Sequence, residues 1–119
     1  MSLLQMLRGD TETFTLTLTD VDGAPLDLSQ ATITFTVKRN FGDATPFIVK
    51  DDLDGIDIGG SGDVGVATIT IEPEDTADLT HTERFVWDIE VDDGLTTTTP
   101  LMGRMVVAMD VTHAGGSGS

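Results

Sequence analysis

Three segments of this chain alternate apolar and polar residues with a period of two, the pattern of a β-strand that buries one face. In residues 13–19, three apolar side chains share one face and four threonines share the other. Residues 31–39 and 85–91 show the same alternation, and the last segment places Trp87 on its apolar face. We therefore predict half-buried strands in all three segments, with Trp87 as a packing centre of the core.

Shorter segments complete the predicted order of elements. We predict further strands at residues 47–50, 56–58, 66–71 and 95–100, and closing strand positions at Met105, Val107, Met109 and Val111. Residues 73–79 predict one helical turn, because a proline stands at its start and acidic residues follow where the helix dipole favours them. Asp92-Asp93-Gly94 predicts a hairpin turn. The expected fold is an all-β antiparallel sandwich of about seven strands with one short crossover helix.

Length and composition indicate one domain. The chain has 119 residues, of which 39% are hydrophobic, and this is enough for a single core. We expect an apolar N-terminal arm or edge strand at residues 1–7, the sandwich at residues 8–112 and a flexible Gly/Ser tail at residues 113–119. Residues 1–7 lack the basic start and cleavage site of a signal peptide.

The charge of the chain argues against two classes of partner. There are 21 acidic and six basic residues, which leave a formal net charge of −15. Nucleic acids and anionic membranes are bound through Lys and Arg, so neither is an expected partner. No apolar run reaches the roughly 20 residues of a membrane span. There is no cysteine, which excludes disulfides and thiol chemistry.

The sequence offers no catalytic constellation, and we expect the protein not to be an enzyme and to need no cofactor. The two histidines, His81 and His113, stand in a predicted loop and beside the Gly/Ser tail, where neither is placed like a catalytic base. The tripeptide at residues 8–10, Arg-Gly-Asp, is one that some cell-surface receptors bind in exposed loops. A turn that enters the next strand explains it as well.

The aspartate-rich segment 51–57 provides three candidate ligands for a calcium ion: Asp52, Asp54 and Asp57. Their spacing does not fit an EF-hand loop, because aligning Gly55 with the loop glycine puts Lys50 at the first ligand position. Residues 59–63 resemble a calcium-binding nonapeptide, but the aspartate comes one residue early and the unit occurs once. A solvated acidic loop is the simpler interpretation.

Four motifs carry a family resemblance through their order and spacing: Arg8-Gly9-Asp10-Thr11, Asp22-Gly23-Ala24-Pro25-Leu26-Asp27-Leu28, Ala31-Thr32-Ile33-Thr34-Phe35-Thr36-Val37-Lys38-Arg39 and Phe85-Val86-Trp87-Asp88-Ile89. Together with residues 93–94, 103–107 and 110–112 they resemble the immunoglobulin-like domains of tailed-virus structural proteins, particularly those at the N-termini of baseplate upper proteins. The resemblance covers roughly residues 7–112. It implies an immunoglobulin-like sandwich that acts by assembly in a virion, and it brings no active-site residues. Unlike baseplate members, this sequence stops after one domain, which leaves neck, tail and head-decoration roles open.

The predicted function is therefore that of a non-enzymatic virion structural protein, made in the host cytoplasm and assembled with other virion proteins and with copies of itself. We predict an assembly interface on the apolar N-terminal segment, at Leu3, Leu4, Met6 and Leu7. The alternative is a cell-surface or carbohydrate-binding sandwich module that uses the acidic loop with calcium. Calcium binding by the isolated protein would favour that alternative.

Overall fold

Two packed β-sheets form the protein, and the prediction of an all-β sandwich is confirmed. The structure is a computed structural model that describes residues 2–28, 31–58 and 65–109. Within these residues the elements are, in chain order, β1 (Ser2–Leu7), β2 (Glu12–Thr17), β3 (Thr32–Lys38), β4 (Ile48–Asp51), β5 (Ile56–Ile58), β6 (Val66–Ile71), α1 (Pro73–Thr76), β7 (Glu83–Asp92) and β8 (Thr97–Ala108). The segment at residues 59–63 that resembles a calcium-binding nonapeptide and the predicted tail at residues 113–119 lie outside the described residues.

The larger sheet has the strand order β1-β8-β7-β3-β4 and the smaller sheet has the order β2-β6-β5. Helix α1 connects β6 in the smaller sheet to β7 in the larger one, as the crossover interpretation predicted. One strand pair departs from the antiparallel expectation, because β1 runs parallel to β8. A parallel pair needs a long connection, and here the rest of the domain provides it. The predicted N-terminal arm is thus an edge strand of the larger sheet.

The core lies between the two inner faces, and Trp87 is 1% exposed within it, as predicted. Its ring lies 5.6 Å from that of Phe35, at a tilt of 38°. The indole N–H donates a hydrogen bond of 3.0 Å to the backbone oxygen of Arg104 on the neighbouring strand. The largest side chain of the core thereby joins β7 to both β3 and β8.

The two strands expected at residues 95–100 and from Met105 onward are one strand, β8, and that part of the prediction is wrong. The pairing of β7 with β8 shifts between Ile89, which faces Leu101, and Val91, which faces Thr98. Pro100 lies in this irregularity, where its missing N–H removes no regular ladder bond. A proline that was expected to end a strand therefore lies at a bulge inside one. The predicted strand position Val111 lies outside the described residues.

The corner between β1 and β2 is fastened to the helix region. The guanidinium of Arg8, which is 6% exposed, donates a 3.0 Å hydrogen bond to the backbone oxygen of Leu79. The N–H of Gly9 donates to the hydroxyl of Thr76 at 2.9 Å. These contacts fix the direction in which β1 ends, and so they help to hold β1 along the edge of the larger sheet.

Candidate functional site

Strand β1 presents apolar side chains on both of its faces. Leu4 and Met6 point inward and are 8% and 5% exposed, whereas Leu3 and Leu7 point outward and are 57% and 44% exposed. The predicted interface of four residues is therefore divided. Leu4 and Met6 belong to the core of this chain and are not available to a partner, because the alternation of a strand sends every second residue into the sandwich. Leu3 and Leu7 remain exposed.

The outer edge of β1 carries unpaired backbone groups in the part of the chain that the structure describes. The N–H of Arg8 donates a 2.8 Å hydrogen bond to the backbone oxygen of Ala108, so at this position the backbone points toward β8. Backbone amides alternate in direction along a strand. The N–H and C=O groups of Leu3 and Gln5 and the N–H of Leu7 therefore point away from β8, toward the free edge. The C=O of Leu7 accepts a 3.3 Å hydrogen bond from the N–H of Asp10. Such an edge is a template for another strand.

Basic and apolar residues surround β1 on the outer face of the larger sheet. Leu3 pairs with Arg104 and Gln5 pairs with Val106 across β1 and β8. Val106 also pairs with Arg84 across β8 and β7. These five residues, Leu3, Gln5, Arg84, Arg104 and Val106, are called the basic-apolar patch below. They come from three different strands, so only the sheet register brings them together.

Positive charge is scarce in this chain, and half of it lies on this face. Of the six basic residues, Lys38, Arg84 and Arg104 occupy outward positions of the larger sheet. Elsewhere, Lys50 is 8% exposed and its ammonium lies 2.7 Å from the carboxylate of Asp75.

Two further basic side chains, Arg39 and Arg8, also contact groups within the chain. The Nε of Arg39 lies 2.6 Å from a carboxylate oxygen of Glu83, and the guanidinium carbon lies 5.0 Å from the centre of the Phe47 ring. Arg8 is buried beside Leu79, as described above. By contrast, Arg84 and Arg104 form no ion pair with any residue that the structure describes. Their charges are therefore available to a partner.

Two shallow grooves flank β1 and meet at Gln5 and Val106. The first has a volume of about 410 Å³ and is lined by Leu3, Arg84 and Arg104 in addition to the shared residues. The second has a volume of about 460 Å³ and extends past the end of β1; its lining includes Leu7, Asp10 and Glu12. One end of the strand is thus basic and the other end is acidic.

The outer face of the smaller sheet has a different character. Thr13 pairs with Thr70, and Thr15 pairs with Thr68, with their hydroxyl oxygens 3.5 Å apart. Asp57 extends this polar row on β5. The two faces of the sandwich therefore present unlike surfaces, one apolar and basic near β1, the other covered with threonine and acid.

The three calcium candidates are not brought together. The carboxylate of Asp52 accepts a 3.2 Å hydrogen bond from the N–H of Ile33, and the backbones of Asp51 and Asp54 bond to one another in a turn. Asp57 lies on the exposed face of β5. Among the described residues, no group of three or more His, Asp or Glu side chains is arranged to hold a metal ion.

Two further sequence candidates also have local roles. Arg8 of the Arg-Gly-Asp tripeptide is buried against Leu79, whereas Gly9 and Asp10 are exposed, so the tripeptide does not present its arginine to a receptor. His81 is exposed and its ring lies 3.3 Å from the hydroxyl of Thr80 and 3.6 Å from the carboxylate of Glu83. His113 lies outside the described residues.

The sequence prediction missed Gln5, Arg84 and Arg104. The alternation of β7 already placed Arg84 outward, but its proximity to β1 depends on pairing between distant segments.

Helices long and apolar enough to cross a membrane are absent from the described parts of the chain. No known protein family matches this sequence, and no curated protein is significantly similar to it.

Proposed function

We propose that this protein is a non-enzymatic structural component of a tailed-virus particle, and that it acts through protein–protein contacts made by the outer face of its larger sheet. The particle role comes from the order of sequence motifs, which resembles the immunoglobulin-like domains of such viruses. The assembly role is supported by the surface itself. The two parts of the proposal have separate grounds and separate tests.

The observation that carries the assembly role is the uneven distribution of charge and apolar surface. The chain has a net charge of −15, yet the basic-apolar patch combines Arg84 and Arg104 with the 57% exposed Leu3. Arginine is enriched at protein interfaces, and exposed apolar patches commonly mark interaction sites. Such a patch attracts an acidic protein partner. Because the rest of this acidic molecule repels that partner, the patch is the surface at which it would bind.

The particle role is tested by quantitative mass spectrometry of tailed-virus particles purified from the organism that carries the gene. We expect the protein at a fixed number of copies per particle. Its absence from intact particles would refute the particle role.

The assembly role is tested by a pair of variants that change the net charge equally. Arg84→Gln with Arg104→Gln removes two positive charges from the basic-apolar patch, and Thr13→Glu with Thr17→Glu adds two negative charges on the opposite face. Both pairs of positions are exposed, so both variants are expected to fold. We expect only the arginine variant to be lost from particles. Equal incorporation of the two variants would contradict a contact through this patch.

A further inference from the structure

We infer that the free edge of β1 binds the β1 strand of a second copy of this chain, antiparallel and centred on Gln5. This pairing would join two five-stranded sheets into one sheet of ten strands. The inference deepens the proposed function, because it names the partner that the edge of β1 takes.

The edge of β1 lacks the features that usually prevent strands from pairing between molecules. Its sequence is Ser-Leu-Leu-Gln-Met-Leu, with no charged residue, proline or glycine. Soluble proteins commonly protect such edges with lysine, proline or a bulge. Here the N–H and C=O groups of Leu3 and Gln5 and the N–H of Leu7 point to the free edge, and Leu3 and Leu7 are exposed leucines. Strand addition would satisfy the backbone groups and cover the leucines.

The sequence of β1 is nearly symmetric about Gln5, which favours a copy of itself as the partner. Antiparallel pairing centred on Gln5 places Leu3 opposite the partner's Leu7, and Leu4 opposite the partner's Met6. Leucine therefore meets leucine on the outer face, and the two Gln5 side chains meet at the two-fold axis. The residues whose backbone points outward oppose one another, as the hydrogen-bonded pairs of an antiparallel ladder require. A two-fold pairing also closes the assembly at two copies.

The charges at the two ends of β1 are complementary in the same arrangement. The groove beside Leu3 contains Arg84 and Arg104, and the groove past the other end of the strand contains Asp10 and Glu12. A two-fold rotation about Gln5 brings the basic groove of each copy toward the acidic groove of the other. This offsets locally the repulsion between two chains that each carry a charge of −15.

The register is tested by charge substitution at Gln5, because only this register places the residue opposite itself. Gln5 is exposed, so Gln5→Lys and Gln5→Glu are expected to leave the fold intact, which circular dichroism and thermal unfolding verify. Molar mass is measured by light scattering after size exclusion, over a concentration series at about 0.15 M salt, where charges that meet at the axis still interact. Val49→Lys is the matched control, since Val49 is 49% exposed on the outer face of the opposite edge strand, β4.

We expect the wild type and Val49→Lys to form dimers. Each Gln5 variant alone should dissociate about tenfold or more readily, because like charges meet at the axis. An equimolar mixture of Gln5→Lys and Gln5→Glu should restore a dimer, observed as a mixed species by native mass spectrometry. Pairing that is shifted by two residues would place Gln5 opposite Leu3 or Leu7, and the mixture would then bring no recovery.

A monomeric wild type, an unaffected Gln5→Lys dimer, no recovery in the mixture, or equal loss with Val49→Lys would each overturn the inference. These results do not decide the particle role. A monomer that is nevertheless present in particles would refute the β1 pairing alone. A dimer centred on Gln5 that is absent from particles would refute the particle role alone.

Discussion

Neighbouring leucines in β1 allow the contributions to folding and to assembly to be separated. Leu4 is 8% exposed and packs in the core, whereas Leu3 is 57% exposed on the outer face. We expect Leu4→Ala to lower the free energy of unfolding by about 3 kcal/mol, the usual cost of a buried leucine. For a domain of this size that corresponds to a fall in Tm of roughly 10 to 15 °C. We expect Leu3→Ala to change the free energy by about 0.5 kcal/mol or less.

The measurement is guanidinium unfolding, followed by the fluorescence of Trp87, which is the single tryptophan and is buried. Both variants are made on a Gln5→Lys background, so that pairing between copies does not add to the measured stability. On the wild-type background, we expect Leu3→Ala to weaken the dimer. Equal destabilisation by the two substitutions would refute the assignment of faces. So would a Leu4→Ala variant that keeps its stability but loses the dimer.

Four further substitutions, at three sites, test the interior and the outer face. Asp75→Asn should lower the free energy of unfolding by about 3 kcal/mol, because it leaves the buried ammonium of Lys50 unpaired. Lys50→Met should change the free energy of unfolding by only about 1 kcal/mol. Equal losses for the two variants in urea unfolding would contradict this. Burial raises the pKa of Asp88, and the charge of Lys38 opposes this with a smaller effect. Because the pKa is higher in the folded state than in the unfolded chain, ionisation of Asp88 weakens the fold. The protein is therefore more stable while Asp88 is protonated at low pH, and this stability is lost as pH rises through the folded-state pKa. Asp88→Asn should therefore stabilise the protein at pH 7, and the gain should vanish below about pH 4; a gain that is independent of pH would contradict the assignment. Gly65→Ala should cost about 2 kcal/mol in thermal unfolding, because φ is +78° and the new Cβ would lie 2.8 Å from a backbone oxygen; an unchanged Tm would contradict the strain.

The parts of the fold that depend on local pattern were predictable. The alternating residues of β2, β3 and β7 identified these strands and their buried faces, and the Asp-Gly turn identified the β7–β8 hairpin. The parts that depend on pairing between distant segments were not. Nothing in the local sequence indicates that β1 runs parallel to β8. Pro100 was interpreted as a strand end, because its place in a bulge is visible only from the partner strand.

The sequence directed attention to the N-terminal segment, but it did not indicate which other residues lie beside that segment. Leu3, Leu4, Met6 and Leu7 are all apolar, so the segment shows no alternation from which a buried face could be read. The pairing with β8 decides that question, since it orients the strand. Arg104 and Arg84 could be assigned to outward positions from the pattern of their own strands. Their proximity to Leu3 follows only from the register of β1, β8 and β7.

This division of β1 constrains the assembly that we propose. Because Leu4 and Met6 fill the core and Arg8 fixes the end of the strand, β1 cannot leave its own sheet to reach a partner without unfolding part of the domain. A partner must therefore come to the edge as the strand stands, with Leu3, Gln5 and Leu7 already oriented. Such an edge loses little conformational freedom on binding, which lowers the cost of association. Binding in turn stabilises the strand that presents the edge. In the proposed dimer, folding and assembly are thus coupled through alternate residues of a single strand.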